Sequence, residues 1–268
     1  MSPAVATTLE YLCPTPHKPR TWMYPPPDGQ PWQNADYARK AVTIRDARAV
    51  TPLLDREGYT LRHAPSAVAD FLDKDAVVRV YYPEVAELAL SMTGAREAYV
   101  FDHLVRQRQP GTPHAFGRAE GLRPGAAGRV HCDFTPASAQ RRLRLELGDR
   151  AALVRRYAII NLWRSTRHPV LDAPLAMCDA RSVAAGDLVA SDIVYPDRTG
   201  EIYQSLHNSA HAWSWFPAMT RDEVLVFKQF DTAPGVACYT PHAAFEHPAA
   251  APDAPPRAST EIRCLLIY

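Results

Sequence analysis

From Ala98 onward, hydrophobic and polar residues alternate in short runs separated by turn-forming residues. The runs are AYVFDHLV (98–105), GRVHCDFT (128–135), RYAIINLW (156–163), LAMCDARSV (175–183), IYQSLH (202–207), AWSWF (212–216), DEVLVFKQF (222–230), VACYTPHAAF (236–245) and TEIRCLLIY (260–268). A period of two predicts β-strands, and many short strands joined by turns predict a sandwich or barrel. One segment among them, SAQRRLRLEL (138–147), has helical spacing instead. Upstream, Val68, Phe71, Leu72, Val77, Val80, Tyr81, Val85, Leu88 and Leu90 recur at helical intervals. Pro83 is expected to split this stretch into two helices, and Gly94 to cap the second. KAVTIRDAR (40–48) reads as a short strand, and residues 1–40 as irregular. The expectation is a mainly β chain with flanking helices (α+β). It comprises an extended arm (1–40), an N-terminal helical lobe (41–97) and a β core (98–268), together one structural domain.

Composition narrows the function. The 268 residues are 47% hydrophobic and 22% charged, with a net charge of +1. Such a balance is ordinary for a folded domain and supplies no field for capturing nucleic acid or an anionic membrane. No apolar run approaches the roughly 20 residues that span a bilayer, and the first residues lack the pattern of a secretion signal. The five cysteines are isolated and odd in number, so reduced thiols and a cytoplasmic setting are expected. Proline is concentrated in two places, Pro25 to Pro27 in the arm and PAAAPDAPPR (248–257) in a loop before the last strand. No glycine-rich phosphate loop and no GxSxG motif is present, so nucleotide binding and serine hydrolysis gain no support.

The chemistry-bearing residues are sparse. His131 and Asp133 are two apart at a strand end, so both point to one face and Cys132 to the other. A His-x-Asp pair alone is weak in a chain with ten histidines. Two histidines and one carboxylate leave three positions of an octahedral ion open, which suits Fe(II) binding a co-substrate and O2. The second histidine must come from a distant strand. His242 in YTPHAAF and His211 in HAWSWF compete for it. Arg257 and Ser259 share a face at the start of the last strand, with Arg263 further along. A guanidinium beside a hydroxyl is what a buried carboxylate needs. The order His-x-Asp, distant His, Arg-x-Ser is far more specific than any part.

That order resembles the Fe(II)/2-oxoglutarate-dependent oxygenases. More narrowly, the chain is similar to the hydroxylase/desaturase family of secondary metabolism, which includes a cephamycin-pathway oxygenase, a gibberellin-desaturase-like fungal group and a meroterpenoid endoperoxidase. The similar segments run from about residue 40 to the C-terminus. They include GAREAYVFDHLVR (94–106), RVHCDFTP (129–136), AIINLWR (158–164), PHAAFEHP (241–248) and PRASTEIR (256–263). The resemblance implies a double-stranded β-helix core (jelly-roll, cupin-like) and use of Fe(II), 2-oxoglutarate and O2 on a small molecule. It favours His242 as third ligand, because in that fold the distal histidine lies on the strand before the Arg-bearing one. His211 then becomes a support for the ligands or a substrate contact. It further implies Arg257 and Ser259 on the distal carboxylate of 2-oxoglutarate. Arg263 is the runner-up, a partner for Glu261 being its simpler role. Asn161, Trp163, Arg164 and Trp213 would stand near the substrate, although Arg164 should point away from Asn161 and Trp163. Trp213 and Trp215 could equally be core, and Asp102 and His103 read as structural. Phe134 departs from the family pattern, which has a small or polar residue there. Neither nucleic acid nor membrane is an expected partner. Oligomeric state stays open, with a homodimer as one option. The rival readings are an iron oxidase that does not use 2-oxoglutarate and a non-catalytic β-barrel that binds small molecules.

Overall fold

The computed structural model describes residues 4–108 and 125–268. In chain order the strands begin with β1 (Ala4–Leu12), β2 (Arg20–Trp22), β3 (Tyr37–Asp46) and β4 (Tyr59–His63). A helical stretch follows: α1 (Lys74–Ala76), a π-turn (Val77–Tyr81) and α2 (Tyr82–Thr93). Next come β5 (Glu97–Gln107), β6 (His131–Cys132), α3 (Pro136–Leu147), β7 (Tyr157–Ser165), β8 (Leu175–Cys178), β9 (Leu188–Val194) and β10 (Thr199–Ser205). The chain ends with β11 (Trp213–Trp215), β12 (Glu223–Asp231), β13 (His242–Ala244) and β14 (Ala258–Ile267).

Two sheets result. A nine-stranded sheet runs β1-β3-β11-β8-β13-β6-β10-β9-β2, and a five-stranded sheet runs β4-β12-β7-β14-β5. One face of the five-stranded sheet carries Ala158, Ile160, Leu162, Val224, Val226, Ile262, Cys264 and Leu266. These pack on Val77, Tyr81, Val85 and Ala89 of the helical stretch. Alternation turns Asn161, Trp163, Ser259, Glu261 and Arg263 to the opposite face, away from the helices. The cross-strand register aligns Asp102, Arg263, Asn161 and Phe227 in one row across β5, β14, β7 and β12. The same face therefore presents polar and charged groups in the middle of an otherwise apolar barrel.

Several expectations need correction. Residues 1–40 are not irregular throughout, because Ala4–Leu12 pairs with β3 along its full length. Its alternation uses Ala and Thr on the outer side, and only Leu9 and Tyr11 mark the buried face clearly. Pro83 does not divide the helical stretch. It lies in the first turn of α2, where a missing N–H costs nothing, directly after the π-turn. Residues 66–73 are outside the helices, and β4 and β9 were not anticipated. Gly94 does cap α2, in the left-handed conformation at φ 68°.

Arg164 faces the helical stretch, not the barrel interior. The residue is 2% exposed, and its guanidinium donates to Tyr81 Oη (2.7 Å), to the Ala64 carbonyl (2.7 Å) and to the Arg221 carbonyl (3.3 Å). It ties β7 to the lobe and, contrary to expectation, stands away from the cavity beside the metal ligands. Arg164→Leu would leave those acceptors buried without a donor. The expected cost is about 1–3 kcal/mol for each unsatisfied group. Denaturant unfolding should report it, with iron binding by the folded fraction unchanged.

Candidate metal centre

His131 and His242 lie 111 residues apart in sequence (242 − 131), yet they are direct cross-strand neighbours on β6 and β13. Their ring centroids are 4.3 Å apart. Asp133 follows β6 on the same face, with Oδ1 3.4 Å from His131 Nε2. One ligand atom from each of the three residues lies within 4.8 Å of the others.

Backbone carbonyls set the tautomers. His131 Nδ1 donates to the Arg129 carbonyl (2.7 Å), and His242 Nδ1 donates to the Thr240 carbonyl (3.2 Å). A carbonyl only accepts, so each Nδ1 carries the proton and each Nε2 keeps its lone pair. Burial, with the neighbouring His131 second, pushes the His242 pKa down to about 3. His242 is therefore neutral at physiological pH, as a metal ligand must be.

Asp133 is held from two sides. Its Oδ2 accepts from Asn161 Nδ2 (2.8 Å) and Arg263 Nε (2.9 Å), which leaves Oδ1 on the histidine side. Burial alone would raise the pKa of this carboxyl. The Arg263 guanidinium outweighs that and, with both histidines, holds it well below the usual carboxylate range. Gln229, fully buried, joins the two halves of the group. Its Oε1 accepts from the Asp133 backbone N–H (2.6 Å), and its Nε2 donates to the Thr240 carbonyl that orients His242 (3.2 Å). Two imidazoles that present Nε2 lone pairs toward a common point, with a carboxylate oxygen beside them, form a donor set that fits Fe(II). Asn161 Oδ1 and Trp163 Nε1, on the same inner face, are buried with no hydrogen-bond partner among the described residues.

Arg263 faces three carboxylates. Besides Asp133, Nη1 donates to Asp102 (2.7 Å) and Nη2 to Glu261 (2.9 Å). Arg257 is placed differently. It is buried, donates through Nε to Ser259 Oγ (3.1 Å) and through Nη1 to the Ala173 carbonyl (2.9 Å), and lies over the Trp163 ring at 5.1 Å. Among the described residues no carboxylate forms an ion pair with it. Burial, then the nearby Arg106 charge, lowers its pKa to about 9. A cavity of about 670 Å³ opens beside His131, Asp133 and Arg263, with Phe101, Asp102 and Phe134 in its wall. Arg257 is not part of that wall.

His211 and Trp213 are elsewhere. Trp213 is opposite Cys178, whereas the adjacent Met177 is opposite His242, so Trp213 and His242 are on opposite faces of the sheet. There Trp213 Nε1 donates to Tyr11 Oη (2.9 Å). Tyr11 Oη contacts His211 Nδ1 (3.1 Å), and His211 Nε2 contacts Asp187 (3.1 Å). This network anchors β1 to the outer face. His211 lies outside both the group of ligand atoms and the cavity wall, and Trp213 and Trp215 belong to the core beneath β1 and β3. Asp102 was read as structural but faces the cavity, while His103 does bond to Tyr82 Oη (2.8 Å). A bulge in β5 opposite Arg263 and Cys264 brings Phe101 into the wall as well. Glu261 is the partner of Arg263 that the sequence offered, whereas Gln229 and Arg106 were not singled out, because no motif distinguishes an inward polar residue within a strand.

The family described as "Oxidoreductase/YMDC permease-like domain" matches residues 9–267. The alpha-ketoglutarate-dependent dioxygenase phiK of a fungal species is 32% identical over 238 residues, covering 85% of this chain and 84% of that protein. This chain belongs to the Fe(II)/2-oxoglutarate-dependent dioxygenases. The oxygenase is also 32% identical to the hydroxylase/desaturase efuI of Hormonema carpetanum, over 87% of this chain and 85% of the relative. The solved structure of the iron and alpha-ketoglutarate-dependent endoperoxidase NvfI superposes with a TM-score of 0.87 at 27% identity, covering 98% of each chain. The double-stranded β-helix expectation is thereby borne out, as is use of Fe(II), 2-oxoglutarate and O2 by the family. Among the described residues no helix of the oxygenase is long and apolar enough to cross a membrane.

Proposed function

We propose that the oxygenase holds Fe(II) through His131, Asp133 and His242, anchors 2-oxoglutarate through Arg257 and Ser259, and hydroxylates or desaturates a small secondary metabolite in the cavity beside Phe134. The observation that carries this reading is the convergence of the three ligand atoms, with both Nδ1 atoms already committed to carbonyls. With iron and 2-oxoglutarate bound, O2 would be the oxidant, taking two electrons from decarboxylation of the co-substrate to succinate and CO2 and two from the metabolite. The protein's part is placement. Asn161 and Arg263 keep Asp133 turned to the histidines, and Gln229 locks β12 to both arms. Phe101 and Phe134 shield the cavity from water, packing edge to face at 6.2 Å between ring centroids. At 134, where the resemblance leads one to expect a small or polar residue, this chain places an aromatic ring in the cavity wall.

Of the two arginines, Arg257 suits the distal carboxylate of 2-oxoglutarate, because it has a hydroxyl beside it and no carboxylate partner among the described residues. Arg263 has its three nitrogens engaged by the protein's own carboxylates, so its role is to orient Asp133 and to pair with Glu261. Arg257→Ala is expected to raise the 2-oxoglutarate concentration for half-maximal succinate formation by at least about tenfold, the loss of one charge-assisted contact. Turnover independent of 2-oxoglutarate in that variant would instead support an iron oxidase of another type. Five free cysteines and the absence of a disulfide suit a reducing compartment, which we take to be the cytoplasm.

A further inference from the structure

The cavity beside the metal group combines an apolar wall with two guanidiniums that form no ion pair among the described residues. Its volume, about 670 Å³, lies within the range of ligand pockets. The helix α3 turns one face toward it. Ser138, Arg141, Arg142 and Leu145 follow the i, i+3, i+4, i+7 spacing and line the cavity. Ala139, Leu143 and Leu147, on the other side of α3, pack into the core. Leu145 is 67% exposed and joins Phe101, Phe134 and Ile193 as apolar wall.

The charges of the wall do not cancel. Arg263 is matched by Asp133, Asp102 and Glu261. Arg142 is matched by Glu146 (3.0 Å), and Arg198 is near Asp197 (3.8 Å). The acidic side of the wall is spoken for as well. Glu201 accepts from Lys18 (2.6 Å) and from the Thr135 hydroxyl. Two guanidiniums remain. Arg106 on β5 donates only to the Gly125 carbonyl (2.8 Å), and Arg141 is exposed at the rim; neither has an ion pair among the described residues. Glu261 and Asp133 act on Arg106 only at longer range, since both are paired directly with Arg263, so a neutral ligand filling the cavity would leave its guanidinium buried without a hydrogen-bonded counter-charge, which is costly. An anionic ligand would supply one.

We propose that the substrate is a largely apolar molecule bearing a carboxylate, with that group met by Arg106 and drawn in by Arg141. The proposal rests on the cavity being the substrate site of the oxygenase described above. It also sets the polarity of binding. The carboxylate lies toward β5 and the rim, and the apolar body lies along Phe101, Phe134 and Leu145.

The test uses decanoate and decanol as probes, titrated calorimetrically into the whole protein loaded anaerobically with Fe(II) and 2-oxoglutarate. Decanoate is expected to bind at least about tenfold more tightly than decanol, from one charge-assisted contact. Arg106→Gln should abolish that preference with 2-oxoglutarate affinity retained. Arg141→Gln, a surface change that leaves the fold intact, should weaken decanoate and flatten its dependence on salt. Equal binding of the two probes by the native protein would overturn the proposal. So would an intact preference in both variants, or an Arg106→Gln variant that loses 2-oxoglutarate and not decanoate. The visible band of the iron and 2-oxoglutarate chelate, read in the same samples, separates the two levels. A band without a decanoate preference defeats the substrate class alone, and no band defeats the oxygenase reading beneath it.

Discussion

His242→Ala is expected to strip the protein of iron, whereas His211→Ala keeps it. The two histidines were equal candidates by residue type, but the folded chain separates them completely. His242 Nε2 shares an inner face with His131 and Asp133. His211 is on the outer face, bonded to Tyr11 and Asp187. Removing one of three ligands should cost more than the about 10–100-fold in metal affinity that follows loss of a supporting residue. Metal content after gel filtration, together with succinate formation, reads this out. His211→Ala should lower the unfolding midpoint, since it leaves Tyr11 and Asp187 without their partner, and should keep full iron occupancy in the folded protein. Equal iron loss in the two variants would contradict the arrangement.

Arg263→Leu is expected to damage both stability and the metal site. The guanidinium faces Asp133, Asp102 and Glu261 at once. Without it, Asp133 and Glu261 are left as neighbouring buried acids, and removing one partner of a buried pair typically costs about 3–5 kcal/mol. Burial and the Asp133 charge already push the Glu261 pKa up, so losing Arg263 favours its neutral form further. Iron affinity should fall by about 10–100-fold, the range for loss of a group that orients a ligand. Arg263→Lys should recover part of the stability and little of the affinity, because an ammonium cannot face three carboxylates through a planar fork. Chemical denaturation and a competitive iron titration give the two readouts. A variant with native iron affinity would show that Asn161 alone positions Asp133.

The strand pattern of the core and the His-x-Asp, distant His, Arg-x-Ser order were legible because they depend on local periodicity and spacing. What was hidden depends on pairing. Nothing in YTPHAAF says that His242 will be opposite His131, since that register is a property of two strands and not of one. The same holds for Gln229, which sits between Lys228 and Phe230 in a run that reads as ordinary strand, yet touches both arms of the metal group. Arg164 and Asn161 are three apart in one strand, and alternation did place them on opposite faces. Only the lobe showed that Arg164 bonds to Tyr81 and two carbonyls. The β1 strand escaped notice because Ala and Thr on its outer positions make a weak contrast with Leu9 and Tyr11. Trp213 and His211 sit in a conspicuous aromatic segment, but an aromatic run marks burial as readily as it marks a site.

The most direct measurement of the central claim is the visible absorption of the purified protein on anaerobic addition of Fe(II) and 2-oxoglutarate. A weak charge-transfer band that needs both components, and that is absent from Asp133→Ala and His242→Ala, is the expected result. A folded native protein that develops no band, or a band that survives both substitutions, would show that iron and co-substrate do not meet at His131, Asp133 and His242.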